Sequence, residues 1–81
     1  EEKIRLLSFL LDNFNDGRRR SFFCTAVNLL ELPEIHEALD EIRASAGLAL
    51  LPLRERSSYV SEVLQRIAGR RNVDLKLRKK A

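Results

Sequence analysis

The amino-acid sequence predicts an all-α fold, a compact bundle of four helices in a single domain. Two observations support this prediction: apolar side chains recur at helical spacing along four stretches, and Gly, Pro, Asn and Asp mark the turns between them. At 81 residues the chain is long enough for one small hydrophobic core. We expect the domain to span residues 1–81, with 78–81 as a frayed basic tail.

The first predicted helix covers residues 2–14 and carries an unusually wide apolar face. Its central stripe consists of Ile4, Leu7, Leu10, Leu11 and Phe14. Leu6 and Phe9 lie beside the stripe and widen the apolar face to roughly 220°, whereas a surface helix needs a stripe of about 100°. Because this surplus exceeds what one small core requires, we expect Leu6 and Phe9 to be anchors that contact another molecule.

The second predicted helix, residues 19–30, is the most apolar of the four. Only a narrow strip formed by Ser21, Thr25 and Asn28 is polar, so this helix is expected to be the most buried. The single cysteine, Cys24, lies within it and is expected to be a small buried hydrophobic side chain. One cysteine excludes an intramolecular disulfide bond.

The third and fourth predicted helices have clear boundaries. The third begins near Pro33, which suits a first helical turn, and Gly47 is expected to supply its C-terminal cap. The fourth begins after Pro52 and ends near Gly69. The apolar stripes of these two helices consist of Ile35, Ala38, Leu39, Ile42, Leu53, Val60, Val63, Leu64 and Ile67.

Two short segments outside the helices are expected to be extended. Residues 73–77 alternate strictly between apolar and polar side chains, which is typical of a strand, and residues 48–51 are a short apolar run. Because a lone strand is not stable, 73–77 should pair with 48–51, pair with another chain, or stay loose. Pairing with another chain would complete a partner's sheet by strand addition.

The second helix is preceded by three consecutive arginines, Arg18, Arg19 and Arg20. Cations at a helix N-terminus oppose its macrodipole by about 0.3–1 kcal/mol each, so a compensating contact is expected. The third helix carries three carboxylates on one side, Glu34, Glu37 and Glu41. An antiparallel pairing of the second and third helices would bring the arginines closest to Glu41. The alternatives are that the arginines are solvated or that they bind a partner.

A second basic feature lies on one flank of the fourth helix and continues into the C-terminal tail. Residues 51–81 have a net charge of +6, whereas residues 1–50 have a net charge of −3. A basic flank with an aromatic side chain is a candidate surface for nucleic-acid phosphates and bases. This candidate surface consists of Arg56, Tyr59, Arg66, Arg70, Arg71, Lys76, Arg78, Lys79 and Lys80. The alternative is a solvated flank.

We expect no catalytic site, no metal and no other cofactor. His36 is the only histidine, and the three glycines each fit a turn or a helix cap. Carboxylates on a single exposed helix diverge, and structural zinc sites prefer Cys and His. No apolar run approaches the ~18 residues of a membrane span, and no signal peptide is visible. We therefore expect an intracellular, cytoplasmic protein with no membrane or small-molecule ligand.

These observations favour a non-catalytic module that binds a protein partner or assembles with copies of itself, as in a homodimer. The predicted partner-binding residues are Leu6, Phe9, Arg18, Arg19 and Arg20. The surplus apolar face of the first helix supports this hypothesis. The alternative hypothesis is a small nucleic-acid-binding domain that uses the basic flank of the fourth helix and the tail.

Overall fold

The structure is a computed structural model that describes residues 1–13, 17, 19–45, 47–73 and 75. These residues form four α-helices and one short 3₁₀ helix. The α-helices are α1 (Glu2–Asn13), α2 (Arg20–Leu29), α3 (Leu32–Ala44) and α4 (Leu53–Arg70), and the 3₁₀ turn is Leu48–Leu50. No strand occurs among the described residues. The prediction of an all-α four-helix bundle is therefore confirmed.

Helices α1 and α3 run parallel to each other. At their N-terminal ends, Nε2 of His36 lies 3.4 Å from Oε1 of Glu2. Seven residues further along each helix, the guanidinium of Arg43 lies 4.9 Å from the centre of the Phe9 ring. Because the two contacts are seven residues apart in each helix and occur in the same order, α1 and α3 point in the same direction.

Helices α2 and α4 are also parallel to each other. Near their N-terminal ends, Nη2 of Arg19 donates a hydrogen bond of 3.3 Å to Oγ of Ser58. Near their C-terminal ends, Nη1 of Arg71 donates to the carbonyl oxygen of Leu29 at 3.4 Å. The turns between consecutive helices are short, so chain direction reverses from each helix to the next. The starts of α2 and α4 consequently share one end of the bundle with the last turns of α1 and α3.

All four helices contribute to a single hydrophobic core. Its fully buried side chains include Leu10, Phe23, Leu30, Ile35, Leu39, Ile42, Val60, Val63, Leu64 and Ile67. Removing each such side chain from water contributes about 1.5–3 kcal/mol. Helix α4 also turns two small polar side chains inward, Ser57 and Ser61. Cys24 is only half-buried, so the expectation of a buried thiol is wrong.

The helix ends follow partly from the sequence. The backbone N–H of Glu31 donates to Oε1 of Glu34 at 2.8 Å, which satisfies one donor at the start of α3. Gly47 adopts φ +84° in the turn after α3, as its type predicts. Helix α4 continues through Gly69 to Arg70, however, and the left-handed residue is Asn72, with φ 64°. Asn is the residue that best replaces Gly at such a position.

The predicted extended pair between 48–51 and 73–77 is wrong. Leu48 to Leu50 form the 3₁₀ turn, in which Leu50 N–H donates to the Gly47 carbonyl at 2.9 Å. After α4, Val73 N–H donates back to the Ala68 carbonyl at 2.9 Å, and Leu75 is only 2% exposed in the core. Val73 and Leu75 bury their apolar side chains directly against the helices, so they need no strand partner. Residues 74, 76 and 77 lie outside the described part of the chain.

Candidate partner-binding surface

The structure places the predicted anchors of α1 inside the fold. Leu6 is only 7% exposed and belongs to the core, and Phe9 is half-buried against the core beneath Arg43. Helix α1 packs against both α2 and α3, so it needs an apolar face wide enough for two neighbours. The prediction that Leu6 projects outward to contact another molecule is therefore wrong, whereas a contact through the exposed part of Phe9 stays a prediction.

The exposed apolar side chains cluster instead between the 3₁₀ turn and the first residue of α4. Leu50 exposes 88% of its surface, Leu53 41% and Leu51 38%. We call these three residues the leucine surface. Leu48 and Leu50 are two residues apart in a helix with about three residues per turn, so they point to different sides, and burying Leu48 in the core turns Leu50 away from it. Ile4, in the first turn of α1 at the opposite end of the bundle, is the other large apolar residue found exposed in the described part of the chain.

Arginines lie close to the leucine surface along the chain and in the neighbouring helix. Nε of Arg56 donates a hydrogen bond of 3.1 Å to the carbonyl oxygen of Leu51. Arg54 follows Leu53 directly and lies one helical turn before Ser58, which accepts the hydrogen bond from Arg19. Arg20 is exposed at the first position of α2, next to Arg19. We call Arg19, Arg20, Arg54 and Arg56 the arginine rim.

The predicted contact between the arginines before α2 and Glu41 is wrong. Arg19 donates to Ser58 of α4, and Glu41 pairs with Arg66 of α4. The cause is the order of neighbours in the bundle: α3 packs most closely against α4 rather than against α2. Arg18 lies outside the described residues.

A series of ion pairs connects α3 to α4 and uses most of the predicted nucleic-acid-binding arginines. Glu41 pairs with Arg66, Oε2 of Glu37 lies 2.6 Å from Nη2 of Arg70, and Oε1 of Glu34 lies 2.8 Å from Nη1 of Arg71. Oε1 of Glu31 also lies 3.5 Å from Nη2 of Arg71. We call this series the α3–α4 ion-pair ladder.

The spacing of charged residues in the sequence indicates the ladder, although the residue types alone do not. Glu37 and Glu41 are four residues apart, as are Arg66 and Arg70, and this equal spacing matches two antiparallel helices side by side. The rest of the predicted nucleic-acid surface is scattered. Arg56 bonds to the 3₁₀ turn, Tyr59 is half-buried against the core, and Lys76, Arg78, Lys79 and Lys80 lie outside the described residues.

Neither a metal site nor a membrane span is found within the described ranges. No three His, Cys, Asp or Glu side chains of residues 1–13, 17, 19–45, 47–73 and 75 come together as metal ligands. Within the same part of the chain, no helix has both the length and the apolar character needed to span a bilayer.

Comparison with known proteins adds no relative. No protein-family model matches the sequence, and searches of curated proteins and of solved structures find no match either. Function is therefore inferred from the geometry described above.

Proposed function

We propose that this chain is a non-catalytic domain that binds another protein, or a second copy of itself, through the leucine surface. The observation that carries the proposal is the exposure of Leu50, Leu51 and Leu53 within four consecutive residues. Single exposed apolar residues are ordinary on a protein surface, whereas contiguous apolar surface tends to mark a contact site. Covering Leu50 alone would contribute roughly 1.5–3 kcal/mol to an association.

Hydrogen bonds within the leucine surface and next to it give further support. Leu51 N–H donates to the Leu48 carbonyl at 3.1 Å, and the Leu51 carbonyl accepts from Arg56. Leu53 begins α4, directly after Pro52. A surface that is ordered before binding loses little conformational entropy on association. The proposal includes an intracellular, cytoplasmic location, which the presence of a single cysteine favours.

Nucleic-acid binding through the flank of α4 has weaker support. Arg66, Arg70 and Arg71 each face a glutamate of α3, so their charges are compensated within the domain. Phosphate binding would require breaking these pairs or sharing the guanidinium groups. We therefore favour protein binding.

Photo-crosslinking in living cells of the natural host tests the proposal. A photoreactive phenylalanine derivative replaces Leu50 in one variant and Ile4 in a control variant, since Ile4 is also exposed and the other exposed large apolar residues of the described part of the chain lie at the opposite end of the bundle. We expect discrete protein adducts from position 50 only, and loss of these adducts when Leu53→Asp is added. A mass of two chains would identify a second copy as the partner. No adduct from position 50, or the same adducts from both positions, would contradict the proposal.

A further inference from the structure

We infer that the leucine surface binds a segment of a partner protein that is both apolar and acidic, and that the carboxylates of this segment lie against the arginine rim. This inference rests on the proposed function and specifies the chemistry of the partner. It depends on four arginines that lie, like the three leucines, at the end of the bundle where α2 and α4 begin.

The rim gives this end of the molecule a concentrated positive charge. Arg54 follows Leu53 in α4, and Arg56 donates to the carbonyl oxygen of Leu51. Arg19 and Arg20 add two further charges at the start of the parallel helix α2. Glu55 in the first turn of α4 and Asp12 in the last turn of α1 are acidic residues at the same end of the bundle, and they offset two of the four charges. A partner that covers the leucines must therefore lie against a net positive rim.

The start of α2 is unusually short of negative charge. Its first turn contains no acidic residue, and its N-cap residue Arg19 makes no side-chain capping hydrogen bond. A helix N-terminus favours anions, and here it carries arginines instead. The start of α4 lies on the same end of the bundle, because the two helices are parallel. A partner carboxylate at this end would interact favourably with the guanidinium groups and with the partial positive charge of the helix ends.

The rim does not fit a second copy of the same surface. A symmetric dimer through the leucine surface would bring Arg19, Arg20, Arg54 and Arg56 against the same four arginines of the partner copy. Like charges in close contact oppose association. An apolar segment that carries Asp or Glu avoids this repulsion.

Two of the rim guanidinium groups are held by hydrogen bonds within the domain. Arg56 is held by the Leu51 carbonyl, and Arg19 by the hydroxyl of Ser58. A guanidinium group is a planar fork that suits bidentate binding of a carboxylate when its orientation is fixed. A lipid headgroup layer requires no such fixed orientation, so the geometry favours a protein carboxylate over an anionic membrane.

A peptide selection tests the inference and does not require the natural partner to be identified. The intact chain is immobilised and used to select binders from a library of random peptides displayed on phage. Selected peptides are synthesised, and their affinities for the variants are measured by fluorescence anisotropy. Leu50→Ser removes part of the leucine surface, and Arg20→Ser with Arg54→Ser removes half of the rim charge. Ile4→Ser and Arg5→Ser are matched controls, because both residues are exposed on α1 at the other end of the bundle.

We expect the selected peptides to combine Asp or Glu with Leu, Ile or Phe. The Leu50→Ser variant should lose binding, and the double arginine variant should bind about threefold to tenfold more weakly. Both controls should bind like the original chain, and affinity should fall as salt concentration rises. Circular dichroism of each variant confirms that it remains folded.

The remaining outcomes each contradict a different statement. Apolar peptides that need Leu50 but not the arginines would overturn the acidic partner and leave the proposed function intact. Peptides that bind the Leu50→Ser variant equally well, or no enriched peptides, would overturn both. The selection could also yield no acidic peptides while phosphatidylcholine–phosphatidylserine vesicles or an oligonucleotide bind in a way that depends on the rim. That result would assign the surface to the vesicles or the oligonucleotide and overturn the inference.

Discussion

Arg70 of α4 faces Glu37 of α3, with Nη2 of the arginine 2.6 Å from Oε2 of the glutamate. The contact is one step of the ladder in which successive glutamates of α3 meet arginines of α4 in antiparallel order. The ladder lies on the surface between two helices that are also close neighbours in the bundle. It also distinguishes the paired arginines of α4 from those of the arginine rim.

The Arg70–Glu37 pair should contribute little to stability, because both side chains are about half exposed to solvent. In a double-mutant cycle with Arg70→Ala and Glu37→Ala, we expect a coupling free energy of about 0.2–1 kcal/mol. Urea denaturation at low and at high salt measures it, and the coupling should shrink at high salt. The Arg71–Glu34 pair, whose glutamate is more buried, should show the larger coupling. A coupling above about 2 kcal/mol at Arg70–Glu37 would contradict this account.

Leu75 should matter for folding although it follows the last helix. Its side chain is buried in the core, so Leu75→Ala should lower the free energy of unfolding by about 2–4 kcal/mol. Leu50→Ala is the matched control and should change it by no more than about 0.5 kcal/mol, since Leu50 is almost fully exposed. Urea denaturation followed by circular dichroism compares the two. Equal effects of both substitutions would mean that Leu75 does not belong to the core.

Asn72 has a left-handed backbone that side chains branched at Cβ do not tolerate. Asn72→Val should lower the free energy of unfolding by about 1–2 kcal/mol, whereas Asn72→Gly should leave it within about 0.5 kcal/mol. Thermal denaturation measures both variants. If valine were accepted without loss, α4 would have to end differently from the structure described here.

Gly69 offers a direct way to stabilise the domain. It lies within α4, and among the described residues no atom outside its own helix lies within 4 Å of the position that a Cβ would occupy. Gly69→Ala should therefore raise the free energy of unfolding by about 0.5–1 kcal/mol, because alanine loses less conformational entropy in a helix. Denaturant titration detects the change. A loss of stability would show that α4 does not continue through residue 69.

Replacing Arg20 with an acidic residue should raise stability and weaken partner binding. Arg20→Glu places a carboxylate at the first position of α2 and should raise the free energy of unfolding by about 0.3–1 kcal/mol. The same substitution removes a positive charge from the arginine rim and should weaken binding of an acidic partner. Denaturant titration and peptide binding measure the two effects on one variant. Lower stability together with tighter peptide binding would reverse the expected signs.

Local features of the fold could be predicted from the sequence better than which helices pack against each other. The stripe of Ile35, Leu39 and Ile42 depends on nearby residues and was predicted correctly. Gly47 was expected to cap α3, but the cap residue is Ser45 and Gly47 follows it in the turn. The burial of Leu6 was not predicted, because periodicity gives the width of an apolar face but not the number of helices packed against it.

The candidate site was harder to predict for a related reason. Leu50 lies in an apolar run of four residues, and so short a run does not reveal whether it is extended or helical, buried or exposed. The pairing of Glu37 with Arg70 depends on α3 and α4 being neighbours, which is a property of the whole bundle. The arginines before α2 stand out in the sequence, but Ser58, the partner of Arg19, is distant from them along the chain.

The contribution of α4 to the core has a consequence for how this protein is made. Val60, Val63, Leu64, Ile67 and Ala68 close the core, together with Leu75. On the ribosome the segment that forms α1, α2 and α3 emerges first, and its apolar core side chains are then not yet covered by α4. Until α4 and Leu75 have left the ribosome, the nascent chain exposes Phe23, Leu39 and Ile42 to chaperones and to neighbouring nascent chains.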